Sequence, residues 1–108
     1  MSAEELTVLA ELCIIPLQTK KNSVAKEVAI VQKILEKSGL NYVMQSFGTN
    51  IEGKWSDVMK VIQQCHQELH YKYGVPRIFN SIKLSTRIDK KTSLQSKLDR
   101  VHTELSKL

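Results

Sequence analysis

The stretch Leu6–Leu17 is apolar on both of its faces apart from Glu11, and this constrains the fold more than any other part of the chain. Alternation puts Val8, Ala10, Leu12 and Ile14 on one side and Leu9, Glu11, Cys13 and Ile15 on the other. A strand of this kind leaves neither side to water, so it belongs in the middle of a sheet. At 108 residues, 42% of them hydrophobic, the chain has material for one core and therefore for one domain, residues 1–108.

The periodicity then switches repeatedly. After a turn over Gln18–Asn22, the residues Val24, Val28, Val31 and Leu35 fall at helical spacing, with Ser23 as N-cap and Gly39 as the C-terminal stop. Tyr42–Phe47 and Thr49–Gly53 read as two short strands joined tightly around Gly48. A second amphipathic helix is marked by Trp55, Val58, Ile62, Cys65 and Leu69, and stops before Gly74. Pro76 opens a last strand with Ile78, Ile82, Leu84 and Ile88 on one side, and Arg77, Phe79, Ser81, Lys83, Ser85 and Arg87 on the other. Leu94, Leu98, Val101, Leu105 and Leu108 end the chain as a helical stripe. The order βαββαβ followed by a helix predicts an α+β, ferredoxin-like antiparallel sheet with two helices on one face. Leu9, Cys13 and Ile15 make the other face too apolar to stay wet. It is expected to be covered by the last helix of its own chain or by self-association.

Several classes of function fall away on composition and spacing. The start Met1-Ser2-Ala3-Glu4-Glu5 is acidic where a secretory leader is basic, and no apolar run is long enough to span a bilayer. Two cysteines, Cys13 and Cys65, make neither a disulfide framework nor a metal knuckle, and read as buried thiols of a reducing, cytosolic compartment. The net charge of +5 makes nucleic acid a partner to weigh, but the basic residues are scattered, with one cluster at Arg87–Lys91 and few aromatics among them. The third strand also lacks the aromatic residues of an RNA-recognition sheet, so no nucleic-acid partner is expected. His66 and His70 share a helical face beside Cys65, yet no third ligand is evident and no metal is expected. The first turn carries Gln18, Thr19, Lys20 and Lys21 rather than the glycine-rich phosphate loop of an acylphosphatase. With no nucleophile elbow and no acid–base pair at useful spacing, neither an enzyme nor a cofactor is indicated.

The segment most suited to a ligand is Gly48-Thr49-Asn50-Ile51-Glu52-Gly53-Lys54-Trp55, which frames a hydroxyl and a carboxylate between two glycines. Glycine permits close approach of backbone to a bound group, and Glu52 can accept hydrogen bonds from an amine or a cation. A tight loop with a hydrated glutamate is the competing reading. Arg87 and Asp89, two apart, and Lys83 on the same strand face are structural or interface candidates.

Three places carry a family resemblance: Ile15-Pro16-Leu17 at the end of the first strand, the Gly48–Gly53 segment with Trp55, and the run from Ile82 to Lys90. In these the chain resembles the YkoF-like proteins that bind thiamine or its hydroxymethylpyrimidine moiety. It departs from them at Gln18 and Ser85, where glycine is common in the family. The resemblance implies a ferredoxin-like cytosolic subunit, assembly into dimers and then tetramers, and reversible capture of a small molecule without catalysis. On that implication Glu52 accepts from the ligand's amine, Thr49, Gln45 and Ser46 supply the other polar contacts, and Phe47, Trp55 or Phe79 wall the ring. The alternative is a homo-oligomeric scaffold whose polar sheet residues only set subunit register.

Overall fold

Four strands and three helices follow the expected order in the computed structural model, which describes residues 6–108; the acidic start Met1–Glu5 lies outside the described residues. They are β1 (Thr7–Leu17), α1 (Ala25–Ser38), β2 (Asn41–Gln45), β3 (Gly48–Lys54), α2 (Trp55–Gln67), β4 (Arg77–Thr86) and α3 (Leu94–Leu105). The sheet runs β2-β3-β1-β4 with every pairing antiparallel, so the doubly apolar strand is internal and the fold is ferredoxin-like. Its register sets Leu12 opposite both Thr49 and Ile82, and Glu11 opposite both Asn50 and Lys83.

One face of the sheet carries α1 and α2. Val8, Ala10 and Leu12 of β1 and Ile51 of β3 bury against Val31, Ile34 and Leu35 of α1 and against Val58, Val61 and Cys65 of α2. Burial of this kind stabilises by roughly 1.5–3 kcal/mol for each large aliphatic side chain, and the helices form because their apolar stripes find this face. Helix α1 ends at Gly39 with φ 76°. At its start Val24 is the N-cap residue, one position later than the sequence indicates, while Ser23 Oγ accepts a hydrogen bond from the Ala25 amide at 3.3 Å. The first turn buries Glu27, whose Oε1 accepts from Lys21 Nζ at 2.7 Å. That hydrogen bond holds the Glu27 carboxyl below its ordinary range, against burial, which acts the other way. Helix α2 continues beyond Gln67 as a wider π-helical turn, Glu68–Lys72, before Gly74.

The opposite face differs from expectation in three ways. Strand β4 ends at Thr86, so Arg87, Ile88 and Asp89 follow the strand rather than extending it, and Ile88 is almost fully exposed. Only the first turn of α3 reaches the sheet, where Leu94 and Lys97 lie with Leu9, Asn50 and Ser85 around a shallow groove. The rest of α3 leaves the sheet with no buried residue, and Leu98, Val101 and Leu105 are 54%, 58% and 57% exposed. Accordingly the radius of gyration is 15.7 Å, against about 13 Å for a compact domain of this length.

Candidate functional site

Strands β2 and β3 are joined by a two-residue turn, Ser46-Phe47, with Gln45 paired to Gly48. Phe47 therefore sits at the tip of the hairpin rather than in the strand, and is 89% exposed. Two-residue hairpins that match strand twist need positive φ in the turn, but Gln18 is the only non-glycine residue with positive φ among those described. A turn of the other hand splays the strands it joins. Behind this hairpin, between it and α1, lies a cavity of about 250 Å³.

Its walls come from four elements. Leu12 and Ile14 of β1, Val28 and Val31 of α1 and Met44 of β2 make it apolar, while Gln45, Ser46 and Phe47 rim it. Two polar side chains interrupt this lining. Thr49 is buried, and its Oγ1 accepts a hydrogen bond of 3.0 Å from Gln32 Nε2 on α1. The other end of that amide, Gln32 Oε1, is shielded from water and has no hydrogen-bond partner among the described residues. A buried acceptor without a partner costs about 1–3 kcal/mol, so a donor brought into the cavity has something to recover. The volume lies just below the range of about 300–1,000 Å³ typical of pockets for drug-sized ligands, which suits a single ring. The cavity shares Val24, Val28, Gln32 and Met44 with a shallow groove that continues along α1 to Lys33 and Glu36.

Thr49, Gln45, Ser46 and Phe47 are thus brought together, but Glu52 is not with them. Side chains alternate along a strand, so Thr49 and Ile51 face the helices while Asn50 and Glu52 face the other side. There Glu52 Oε1 accepts from Asn41 Nδ2 at 2.6 Å and from the Leu94 amide at 3.3 Å, the first residue of α3. Its carboxylate holds down a helix N-terminus, where negative charge is favourable. The grouping of Glu52 with Thr49 on one ligand is corrected by this pleat. The two glycines that frame the segment serve packing. A Cβ on Gly53 would stand 2.7 Å from Leu40 Cδ2, and one on Gly48 would stand 3.1 Å from Glu11 Cγ.

The remaining candidates are also apart from the cavity. Trp55 opens α2 and packs against the edge of the core. Phe79 lies opposite Ile15 on the outer face, 57% exposed. Arg87 binds Asp89 through two hydrogen bonds, Nε to Oδ1 at 2.6 Å and Nη2 to Oδ2 at 2.5 Å. This pairing draws the Asp89 carboxyl down to about 2. Lys83 faces Glu11 across the β1–β4 pair at 4.0 Å. His66 Nε2 accepts from Asn80 Nδ2 at 2.9 Å, and His70 Nδ1 donates to the Val75 carbonyl at 2.7 Å. Burial, and then the nearby His70, pushes His66 below its usual range. No group of three metal-ligating side chains occurs among the described residues. Burial, and then the charge of Glu68, raises the Cys65 thiol to about 12, which leaves it protonated and unreactive. No helix among the described residues is long and apolar enough to cross a membrane.

The residue that the sequence reading missed is Gln32. Its signal was present, since it lies four residues after Val28 and one after Val31, on the flank of the apolar stripe of α1.

Comparison with known proteins assigns the chain to a family. A UPF0045 protein of Eremothecium gossypii is 40% identical over 102 residues, covering 94% of this chain and 96% of the relative. A UPF0045 protein of Synechocystis is 38% identical over 100 residues, covering 93% and 81%. Among solved structures, a hypothetical protein of Methanocaldococcus jannaschii superposes with a TM-score of 0.80 at 30% identity, covering 89% of this chain and 96% of that one. A Thermotoga maritima protein proposed to act in thiamine biosynthesis or salvage superposes with a TM-score of 0.74, covering 88% and 98%; at 12% identity this likeness concerns the fold. The family described as thiamine-binding protein matches residues 10–102, which take in most of the sheet, α1, α2 and most of α3. The chain belongs to the thiamine-binding protein family.

Proposed function

We propose that the chain captures thiamine or its hydroxymethylpyrimidine moiety reversibly, without making or breaking a bond, in the cavity behind the β2–β3 hairpin. The observation that carries this reading is the partnerless Gln32 amide oxygen beside Thr49 in an otherwise apolar cavity of about 250 Å³. A pyrimidine ring presents flat apolar faces to Leu12, Val28 and Met44 and polar edges to that pair. Gln45 and Ser46 supply polar contacts at the rim, and Phe47 closes over the mouth. In this reading the protein is a carrier, buffer or sensor of the ligand, and two free cysteines suit a reducing, cytosolic setting.

Calorimetric titration of thiamine and of hydroxymethylpyrimidine into the purified protein tests the proposal. Saturable heat from at least one of them is expected, and is expected to vanish in Ile14→Trp, which fills the cavity. Absence of heat from either compound at millimolar concentration removes the proposal.

A second reading has its own observation. The exposed stripe of Leu98, Val101 and Leu105 on α3 favours assembly into a homo-oligomer, a dimer of dimers, with or without a ligand. Sedimentation at micromolar concentration decides it, and a monomeric mass eliminates the assembly.

A further inference from the structure

Resting on the cavity as the ligand site, we propose that Gln32 and Thr49 form a reversible reader of ligand edges. The pair requires one hydrogen-bond donor beside one acceptor, and takes them in either order. As the side chains stand, Gln32 Nε2 donates to Thr49 Oγ1 at 3.0 Å. The Thr49 hydroxyl proton then remains for a ring nitrogen, and the partnerless Gln32 Oε1 remains for an exocyclic amine. An aminopyrimidine edge satisfies both.

No described residue holds the amide in that sense, because its second end has no partner among them. Rotating it by half a turn makes Thr49 donate to Oε1, leaves a lone pair on Oγ1 for a ring N–H, and turns Nε2 toward a carbonyl oxygen. The same two side chains then satisfy the oxo form of the ring, in which donor and acceptor have changed places. A carboxylate in the position of Gln32 has no such freedom, since it only accepts. What the pair does not tolerate is an edge lacking one of the two groups, because one end of the amide then stays buried and unsatisfied. The ligand class is therefore a single planar heterocycle with an amidine-like or lactam-like edge, and the rest of the molecule lies at the mouth.

The test uses three ring compounds with the intact protein: 4-amino-5-hydroxymethyl-2-methylpyrimidine, its 4-oxo analogue and its 4-deamino analogue. Expected for the unaltered protein are affinities within about threefold for the amino and oxo compounds, and a loss of at least about tenfold for the deamino compound. Gln32→Leu should bring the three affinities together; Gln32→Glu, which takes the Thr49 proton and so leaves no donor for the ring nitrogen of the amino compound or the carbonyl of the oxo compound, should weaken both at least about tenfold, and Thr49→Val should do the same. Melting temperatures identify any variant that does not fold, and the Thr49→Val and Gln32→Glu arms keep the test decisive if Gln32→Leu fails. Equal affinity for amino and deamino compounds overturns the reader while leaving the cavity as the site. Rejection of the oxo compound by the unaltered protein overturns its reversibility. Failure of all three to bind overturns the cavity reading and the reader with it.

Discussion

The two faces of the sheet are built from the same strands but held by different means. On the helix-covered face, Val8, Leu12 and Ile51 meet Leu35, Val58 and Cys65, with Val8, Leu35, Ile51, Val58 and Cys65 wholly buried. On the other face, Leu9 is buried beside Leu94, and the remaining contacts are few and polar: Glu11 with Lys83, Asn41 with Glu52, and Glu52 with the first amide of α3. A face held by packing derives its stability from area and forms a cavity only where the packing stops. A face held by scattered polar contacts positions an element without burying it, and α3 is the result.

The largest expected difference between the faces is in stability. Ile51→Ala should cost about 2–5 kcal/mol in denaturant unfolding, whereas Phe79→Ala should cost about 0.5 kcal/mol as an exposed substitution. If Phe79→Ala instead costs as much as Ile51→Ala, and the loss varies with protein concentration, a second copy covers the outer face and the contrast is broken. Next in size is Glu52→Ala, which removes the acceptor of Asn41 and of the Leu94 amide. It should cost about 1 kcal/mol and speed hydrogen exchange in the first turn of α3, with ligand affinity at the cavity unchanged. Weakened ligand binding in that variant would mean that the two faces are coupled. The smallest effect concerns the passage from β1 to α1. Gln18 has φ 60°, so Gln18→Gly should raise stability by about 0.5–1 kcal/mol, seen as a higher melting temperature. No change there would show that the left-handed backbone at Gln18 is not strained.

Gln18 also measures how far the sequence could be read. A glutamine where the resemblance implies glycine could be read from the chain, but the positive φ that gives it meaning is a property of the turn. The elements themselves were legible because period 2 and period 3.6 are local signals. Leu6–Leu17 placed itself at the centre of the sheet by having no polar face, and Gly39 ended α1 as its position indicated. The polar site was less legible. Thr49 and Glu52 are three residues apart in a strand, an odd separation that sends them to opposite faces, and this parity was available in the sequence alone. Gln32 was harder to find, because its pairing with Thr49 depends on how α1 lies over β3, and no local pattern encodes that. The exposure of α3 was hidden for a different reason. A helical apolar stripe specifies that something will cover it, without specifying which molecule.

The modest size of the cavity has a further consequence. On the proposed reading, a guest of two rings would be gripped by one end only, with its remaining part along the groove of α1 toward Lys33 and Glu36. A molecule carried in this way already offers a free handle to the next protein. It can be drawn out by that end and handed over without ever being released into the surrounding water.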